Sequence, residues 1–92
     1  MTTKNDEWHI VYTHDGLKDK KRAYDSGLKD KLKMLLDLIK SDPFASYPPY
    51  EKLIGDLKGA YSRRINRQHR LVYRVEEEAH TIVILSAWTH YE

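Results

Sequence analysis

Apolar residues recur along this chain with two different periods, and the period changes near its middle. Between Asp15 and Asp42 they follow a helical spacing, which is clearest in one stripe at i, i+4, i+7, i+8 and i+11. The stripe consists of Leu28, Leu32, Leu35, Leu36 and Ile39. It predicts an amphipathic helix that stops at Ser41-Asp42-Pro43, because proline does not continue a helix.

A shorter helix is predicted before this one, with Asp15 as its N-cap and Ser26-Gly27 at its end, where glycine suits a C-terminal cap. Its apolar side consists of Leu17, Ala23 and Tyr24. The charged residues of both helices are interpreted as a solvated face. Upstream, the stretch from Trp8 to His14 is rich in aromatic and β-branched residues, which predicts a strand.

The second half of the chain alternates with a period of two, which is typical of strands. Two strands, Ala60 to Asn66 and His69 to Glu76, are joined through Arg67-Gln68, and a last strand runs from His80 to about Thr89. Glu51 to Leu57 is predicted to be a short extended or irregular piece. Short turns join strands antiparallel, so the sequence predicts an α+β fold of order β-α-α-β-β-β. Two N-terminal helices would pack on one face of a small antiparallel-dominated sheet and leave the other face open.

Length and composition predict a single small domain without disulfides or a membrane-spanning segment. The 92 residues are predicted to form a single domain, 1–92, in which residues 1–7 are a flexible N-terminus. The absence of cysteine excludes disulfides and thiolate metal sites, and the spacing of the five histidines does not suggest a metal site. No apolar run approaches the roughly 20 residues that cross a bilayer, so we expect a cytoplasmic protein without a membrane partner.

Positive charge is concentrated in one segment, although the net charge of the chain is only +2. The stretch from Leu57 to Val75 carries six positive charges and no negative one. These charges are Lys58, Arg63, Arg64, Arg67, Arg70 and Arg74. Alternation places Arg64 and Arg70 on the open face of one hairpin, where guanidinium groups suit phosphates. The competing interpretation is that the arginines only solvate the outer face of a half-buried sheet.

The residues around this hairpin contain a group for each role in metal-independent RNA cleavage. The reaction needs a base for the ribose 2′-hydroxyl, cations for the charge that grows on the phosphate, an acid for the departing 5′-oxygen and an aromatic ring that holds a base. The chain offers the Glu51 carboxylate, two arginines, and His90 and Tyr91 close to its end. A single surface glutamate or terminal histidine is ordinary, so the hypothesis depends on the combination.

Five short motifs lie in the second half of the chain. They are Glu51-Lys52-Leu53, Leu57-Lys58-Gly59, Ser62-Arg63-Arg64-Ile65-Asn66, His69-Arg70-Leu71-Val72-Tyr73 and the ending His90-Tyr91. Together they closely resemble the YoeB/Txe family of bacterial toxins, within the RelE-like superfamily. The resemblance implies a small antiparallel sheet packed on two helices. It also implies a ribosome-dependent endoribonuclease that cuts messenger RNA in the ribosomal A site by metal-independent attack of the 2′-hydroxyl and uses no cofactor.

The same resemblance implies partners and residue roles. The partners are the 70S ribosome with its messenger RNA and a cognate YefM/Axe-like antitoxin, while homodimer formation is left open. Glu51 is the implied general base, Arg70 the arginine at the scissile phosphate, and His90 the general acid. Tyr91 is the implied aromatic residue that orients substrate. The further candidates for substrate binding are Arg64, Arg63, Lys52 and Lys58.

Two positions depart from the family pattern. Ile54 stands where some members have a lysine three residues after the glutamate, so any phosphate contact made there must be lost or replaced by Lys52 or Lys58. The chain also continues past Tyr91 to Glu92, so a free carboxylate on the tyrosine itself is not expected to be required.

Two other functions stay open at the level of the sequence. One is a non-catalytic RNA- or ribosome-binding module that uses the same arginines for affinity alone. The other is a structural protein whose basic face docks an acidic peptide. A His90→Ala variant separates the first of these from a nuclease, because it would preserve binding but abolish cleavage.

Overall fold

Within residues 7–88, which the computed structural model describes, a helical layer packs on one face of a five-stranded sheet. The elements in chain order are β1 (His9–Tyr12), α1 (His14–Ala23), a π-helical turn (Tyr24–Leu28), α2 (Lys29–Ser41), β2 (Tyr50–Lys52), a 3-10 turn (Gly55–Leu57), β3 (Ala60–Arg64), β4 (Arg70–Glu76) and β5 (Thr81–Ser86). The predicted α+β class is confirmed. Apart from Glu7, the predicted flexible N-terminus lies outside the described residues.

The sheet is mixed, with strand order β1-β5-β4-β3-β2. The β2–β3, β3–β4 and β4–β5 pairs are antiparallel, whereas β1 lies parallel to β5, with Ile10 opposite Ile82. The sheet is thus mixed, and the parallel pairing of β1 with β5 is the detail that the prediction of an antiparallel-dominated sheet did not contain. The strand β2 also forms where only an extended or irregular piece was predicted.

The first helix begins at His14, after an N-cap at Thr13. The Thr13 hydroxyl accepts a hydrogen bond from the Gly16 N–H at 3.0 Å, so the predicted N-cap at Asp15 is wrong. A Cβ at Gly16 would lie only 2.2 Å from the Ile84 carbonyl oxygen, so the helix can approach β5 this closely only with glycine at that position.

Gly27 marks the junction between α1 and α2. Its φ of 88° is left-handed, a conformation that glycine adopts without the steric cost of a side chain. The predicted break at Ser26-Gly27 falls in this π-helical turn, where Gly27 leaves helical geometry and the chain kinks between α1 and α2 with no loop between them. The prediction of two separate helices is not confirmed in that form.

The hydrophobic core lies between α2 and the helix-facing side of β4 and β5. The helix buries Leu32, Leu35, Leu36 and Ile39, all from the predicted apolar stripe. They belong to one cluster with the strand residues Leu71, Tyr73, Ile82 and Ile84, which are fully buried. No helix in residues 7–88 is both long and apolar enough to cross a membrane.

Candidate active site

The hairpin of β3 and β4 brings the two predicted phosphate-binding arginines together. Arg64 and Arg70 are directly opposite each other in the strand register, at the end of the hairpin that carries the turn. The strands stop earlier than predicted, because the Asn66 side-chain oxygen accepts the N–H groups of Gln68 and His69 at 2.9 and 2.7 Å and fixes a five-residue turn. The predicted placement of these two arginines on one face of the hairpin is confirmed.

The strand β2 places Glu51 beside this arginine pair. Glu51 lies opposite Ser62 in the register, and its Oε1 is 3.4 Å from Nη2 of Arg70, while Arg70 Nη1 donates to the Ser62 hydroxyl at 3.3 Å. The Glu51 side chain is 66% exposed and that of Arg70 35%. An exposed ion pair of this kind is worth only about 0–1 kcal/mol. A phosphate can therefore replace Glu51 on Arg70 at little cost.

These side chains line one open groove of about 800 Å³. Its wall also includes Pro48 and Pro49, and two further cations, Lys31 from α2 and Arg67 from the hairpin turn. Four positive groups thus surround a single carboxylate, which gives the groove a potential that attracts a polyanion. Lys31 was interpreted from sequence as part of a solvated helix face. No local pattern could show that the tertiary fold would bring it to this groove.

Lys52 and Lys58, two of the predicted substrate contacts, do not line this groove. Lys52 pairs with Tyr61 and so projects to the opposite face of the sheet from its neighbour Glu51. Both lysines line a separate cavity of about 350 Å³, together with Ile54. The suggested replacement of a missing phosphate contact by these lysines is therefore not supported within the groove.

Arg63 is fully buried, and this corrects its predicted role in substrate binding. Its Nε donates to the Tyr73 hydroxyl at 2.9 Å, and its Nη2 donates to the carbonyl oxygens of Ala45 and Pro43 at 2.7 and 3.2 Å. Its Nη1 donates to the Pro48 carbonyl oxygen. Tyr73 lies on the helix-facing side of the sheet and the three carbonyl groups belong to the loop before β2. The Arg63 side chain is used in this buried network and does not line the groove.

The buried Arg63 instead holds the proline-rich loop that leads into β2. Its guanidinium carbon lies 4.8 Å from the centre of the Tyr50 ring, immediately before Glu51. The Tyr73 hydroxyl completes the network by donating to the Pro43 carbonyl oxygen at 2.8 Å. Burial raises the pKa of Tyr73 above its ordinary value although Arg63 acts to lower it, so the phenol keeps the proton that it donates.

The remaining two predicted catalytic residues, His90 and Tyr91, lie outside the described residues. The last described residue, Trp88, stacks on His69, whose neighbour in the chain is Arg70. The part of the chain that the structure describes contains no group of three or more histidine, aspartate or glutamate side chains that could hold a metal ion. The groove itself offers a carboxylate that can accept a proton and arginines that can contact phosphate.

The chain is similar in sequence and in fold to a family of bacterial toxins. A family model for the YoeB-like toxin of bacterial type II toxin-antitoxin systems matches residues 12–91. A protein named Toxin YoeB from Streptomyces coelicolor is 37% identical over 84 residues, which cover 89% of this chain and 98% of the relative. A YoeB/ParE toxin structure from Agrobacterium tumefaciens has a TM-score of 0.81 at 30% identity and covers 90% of this chain and 99% of that one.

Two structures from Staphylococcus aureus are also similar, each at 33% identity. A YoeB-YefM complex has a TM-score of 0.78 and covers 91% of this chain and 98% of that chain. A YoeB dimer has a TM-score of 0.77 and covers 92% and 99%. The predicted resemblance is therefore confirmed, and the chain belongs to the YoeB-like toxins of bacterial type II toxin–antitoxin systems.

Proposed function

We propose that this toxin is a ribosome-dependent endoribonuclease that cuts messenger RNA in the ribosomal A site. The observation that carries the proposal is the convergence of Glu51, Arg70 and Arg64 on one open, positively charged groove. A carboxylate beside two guanidinium groups supplies a proton acceptor and the cations that stabilise a phosphate in its transition state.

In the proposed reaction, Glu51 takes the proton of the ribose 2′-hydroxyl, and the 2′-oxygen attacks the adjacent phosphorus. The bond from phosphorus to the 5′-oxygen breaks, and His90 protonates that oxygen. The products are a 2′,3′-cyclic phosphate and a free 5′-hydroxyl. Arg70 and Arg64 stabilise the charge that grows on the phosphate oxygens, while Tyr91 stacks on a base. No metal or cofactor takes part in the scheme.

The groove itself suggests why the ribosome is needed. It is open to solvent, and within residues 7–88 the Arg70 side chain is held by a long contact to Glu51 and another to Ser62. Such a site binds phosphate but does not by itself fix the 2′-oxygen, the phosphorus and the 5′-oxygen in line. The ribosome would supply that alignment in the cytoplasm, which accounts for much of the rate in reactions of this type.

The proposed protein partner is a YefM/Axe-like antitoxin, as in the S. aureus complex named above. The positive groove supports this proposal, because an acidic segment laid over Arg64 and Arg70 would compete directly with RNA. Homodimer formation is proposed by analogy with the S. aureus YoeB dimer.

The purified protein should cut messenger RNA on programmed 70S ribosomes but cut the same RNA only slowly when it is naked. Mapping the RNA ends by primer extension, with and without ribosomes, measures this difference. His90→Ala should bind ribosomes as the wild type does but leave the RNA intact. If the wild-type protein binds ribosomes but leaves the ribosome-bound RNA intact, the protein is a binding module and the nuclease proposal fails.

A further inference from the structure

Contacts from two parts of the fold, α1 and the turn between β3 and β4, converge on the last two described residues, Ala87 and Trp88. The Trp88 ring stacks on the His69 imidazole, with ring centres 3.8 Å apart and an angle of 23° between the planes. The Arg22 guanidinium carbon lies 5.4 Å from the centre of the same ring. One residue before it, the Ala87 N–H donates to Oδ2 of Asp19 at 3.1 Å. We call these five residues the Trp88 clamp.

The clamp contains polar groups that are seldom buried in a small domain. Asp19 is only 4% exposed and His69 only 6%. Burying a carboxylate is unfavourable unless hydrogen bonds compensate it, and here the carboxylate accepts the N–H of a residue just beyond the end of β5. Burial lowers the pKa of His69, which keeps the stacked imidazole neutral at neutral pH. The clamp therefore fixes the end of β5 against α1 and the hairpin turn.

The same turn also sets the geometry of the groove. The His69 N–H donates to the Asn66 side chain, and the His69 carbonyl oxygen accepts the N–H of Ile65 at 2.8 Å. Arg70 follows directly and lies opposite Arg64. Trp88 thus stacks on the His69 ring, which belongs to the β3–β4 hairpin that also forms the groove. His90 follows Trp88 by two residues in the sequence, and two residues of chain span at most about 7 Å.

We propose that the Trp88 clamp positions His90 for its role as general acid. This inference rests on the proposed nuclease function. Trp88, His69, Arg22 and Asp19 act as positioning residues, because they hold the chain that carries the acid and need not touch the RNA. Loss of the Trp88 ring should then impair protonation of the 5′-oxygen and leave phosphate binding by the arginines intact.

A change of leaving group tests this directly. Trp88→Ala should slow single-turnover cleavage of ribosome-bound messenger RNA by about tenfold or more, part of the hundredfold or greater effect typical of a general acid. The half-saturating ribosome concentration should stay unchanged. A messenger RNA with a bridging sulfur in place of the 5′-oxygen at the cleaved linkage should restore most of the rate, because a thiolate leaves without protonation. His90→Gln should show the same pattern with a larger loss.

The chain offers a matched control at the opposite end of β5. Trp8 stacks on His80 with ring centres 4.0 Å apart and an interplanar angle of 21°. Trp8→Ala therefore removes an equivalent aromatic stack without touching the clamp. It should cut both substrates at the wild-type rate. Trp88→Leu, which keeps an apolar side chain at this position, gives a second variant should Trp88→Ala fold poorly, and the same leaving-group pattern is expected.

The outcomes separate the inference from the function on which it rests. Wild-type rates for both Trp88 variants would overturn the inference, and so would an equal loss on the oxygen and sulfur substrates. If the wild type cuts neither substrate, the nuclease proposal itself fails and the inference falls with it. Three results together support the nuclease proposal and the positioning inference. The wild type cuts the RNA, the sulfur substrate restores the rate of Trp88→Ala and of His90→Gln, and Trp8→Ala shows no defect.

Discussion

Replacing Arg70 by alanine is expected to slow cleavage of ribosome-bound messenger RNA by roughly a hundredfold or more, the usual loss when one transition-state donor is removed. Arg70 lines the groove, contacts both Glu51 and Ser62 and lies opposite Arg64 in the strand register. A cation at the transferring phosphate stabilises charge that appears only in the transition state, and its loss therefore lowers the rate more than the affinity. Single-turnover rates at saturating ribosomes measure this effect.

Arg74 is the matched control for Arg70. It lies on the same strand and the same face, four residues further along, and outside the groove. Arg74→Ala removes an equal charge from this face and should cut at close to the wild-type rate. A similar loss in both variants would mean that the general positive charge of the face matters, and the assignment of Arg70 to the phosphate would be wrong.

Arg63→Met should lower the free energy of unfolding by about 3 kcal/mol. Four hydrogen bonds of a charged donor are lost, each worth roughly 1.5–3 kcal/mol, and removing a buried charge offsets part of the loss. The carbonyl oxygens of Pro43, Ala45 and Pro48 also lose a donor. Urea unfolding followed by circular dichroism gives the value.

Arg64 is the neighbouring control for this second prediction. It is exposed, and Arg64→Met should change the free energy of unfolding by no more than about 0.5 kcal/mol. Arg63→Lys keeps the charge but not the planar set of donors, and should also be destabilised. Equal stability of Arg63→Met and Arg64→Met would show that the buried network does not hold the loop.

Local periodicity predicted those parts of the structure in which neighbours along the chain decide the outcome. The apolar stripe of α2 gave the buried helix face, and alternation along β3 and β4 gave the shared face of Arg64 and Arg70. The parallel pairing of β1 with β5 could not be predicted in this way. These strands are separated by most of the chain, so no turn fixes their relative direction.

The errors in the candidate site have a related cause. Alternation along β3 puts Arg63 on the opposite face from Arg64, but arginine is so seldom buried that its charge suggested a surface role. Its burial is possible only because carbonyl oxygens of a loop fifteen or more residues away surround the guanidinium. The same limitation applies to Lys31, which reaches the groove through the packing of α2. The roles of His90 and Tyr91 stay predictions from the motif.

The central claim is that this groove cuts RNA through the ribose 2′-hydroxyl, and a single 2′-deoxy substitution tests it most directly. The cleavage site is first mapped on a programmed ribosome, and the nucleotide on the 5′ side of the cut linkage is then replaced by its 2′-deoxy form. The proposed mechanism predicts that cleavage at this linkage is abolished, whereas a 2′-deoxy nucleotide on the 3′ side leaves the rate unchanged. Cleavage of the first substrate at the wild-type rate would contradict the mechanism.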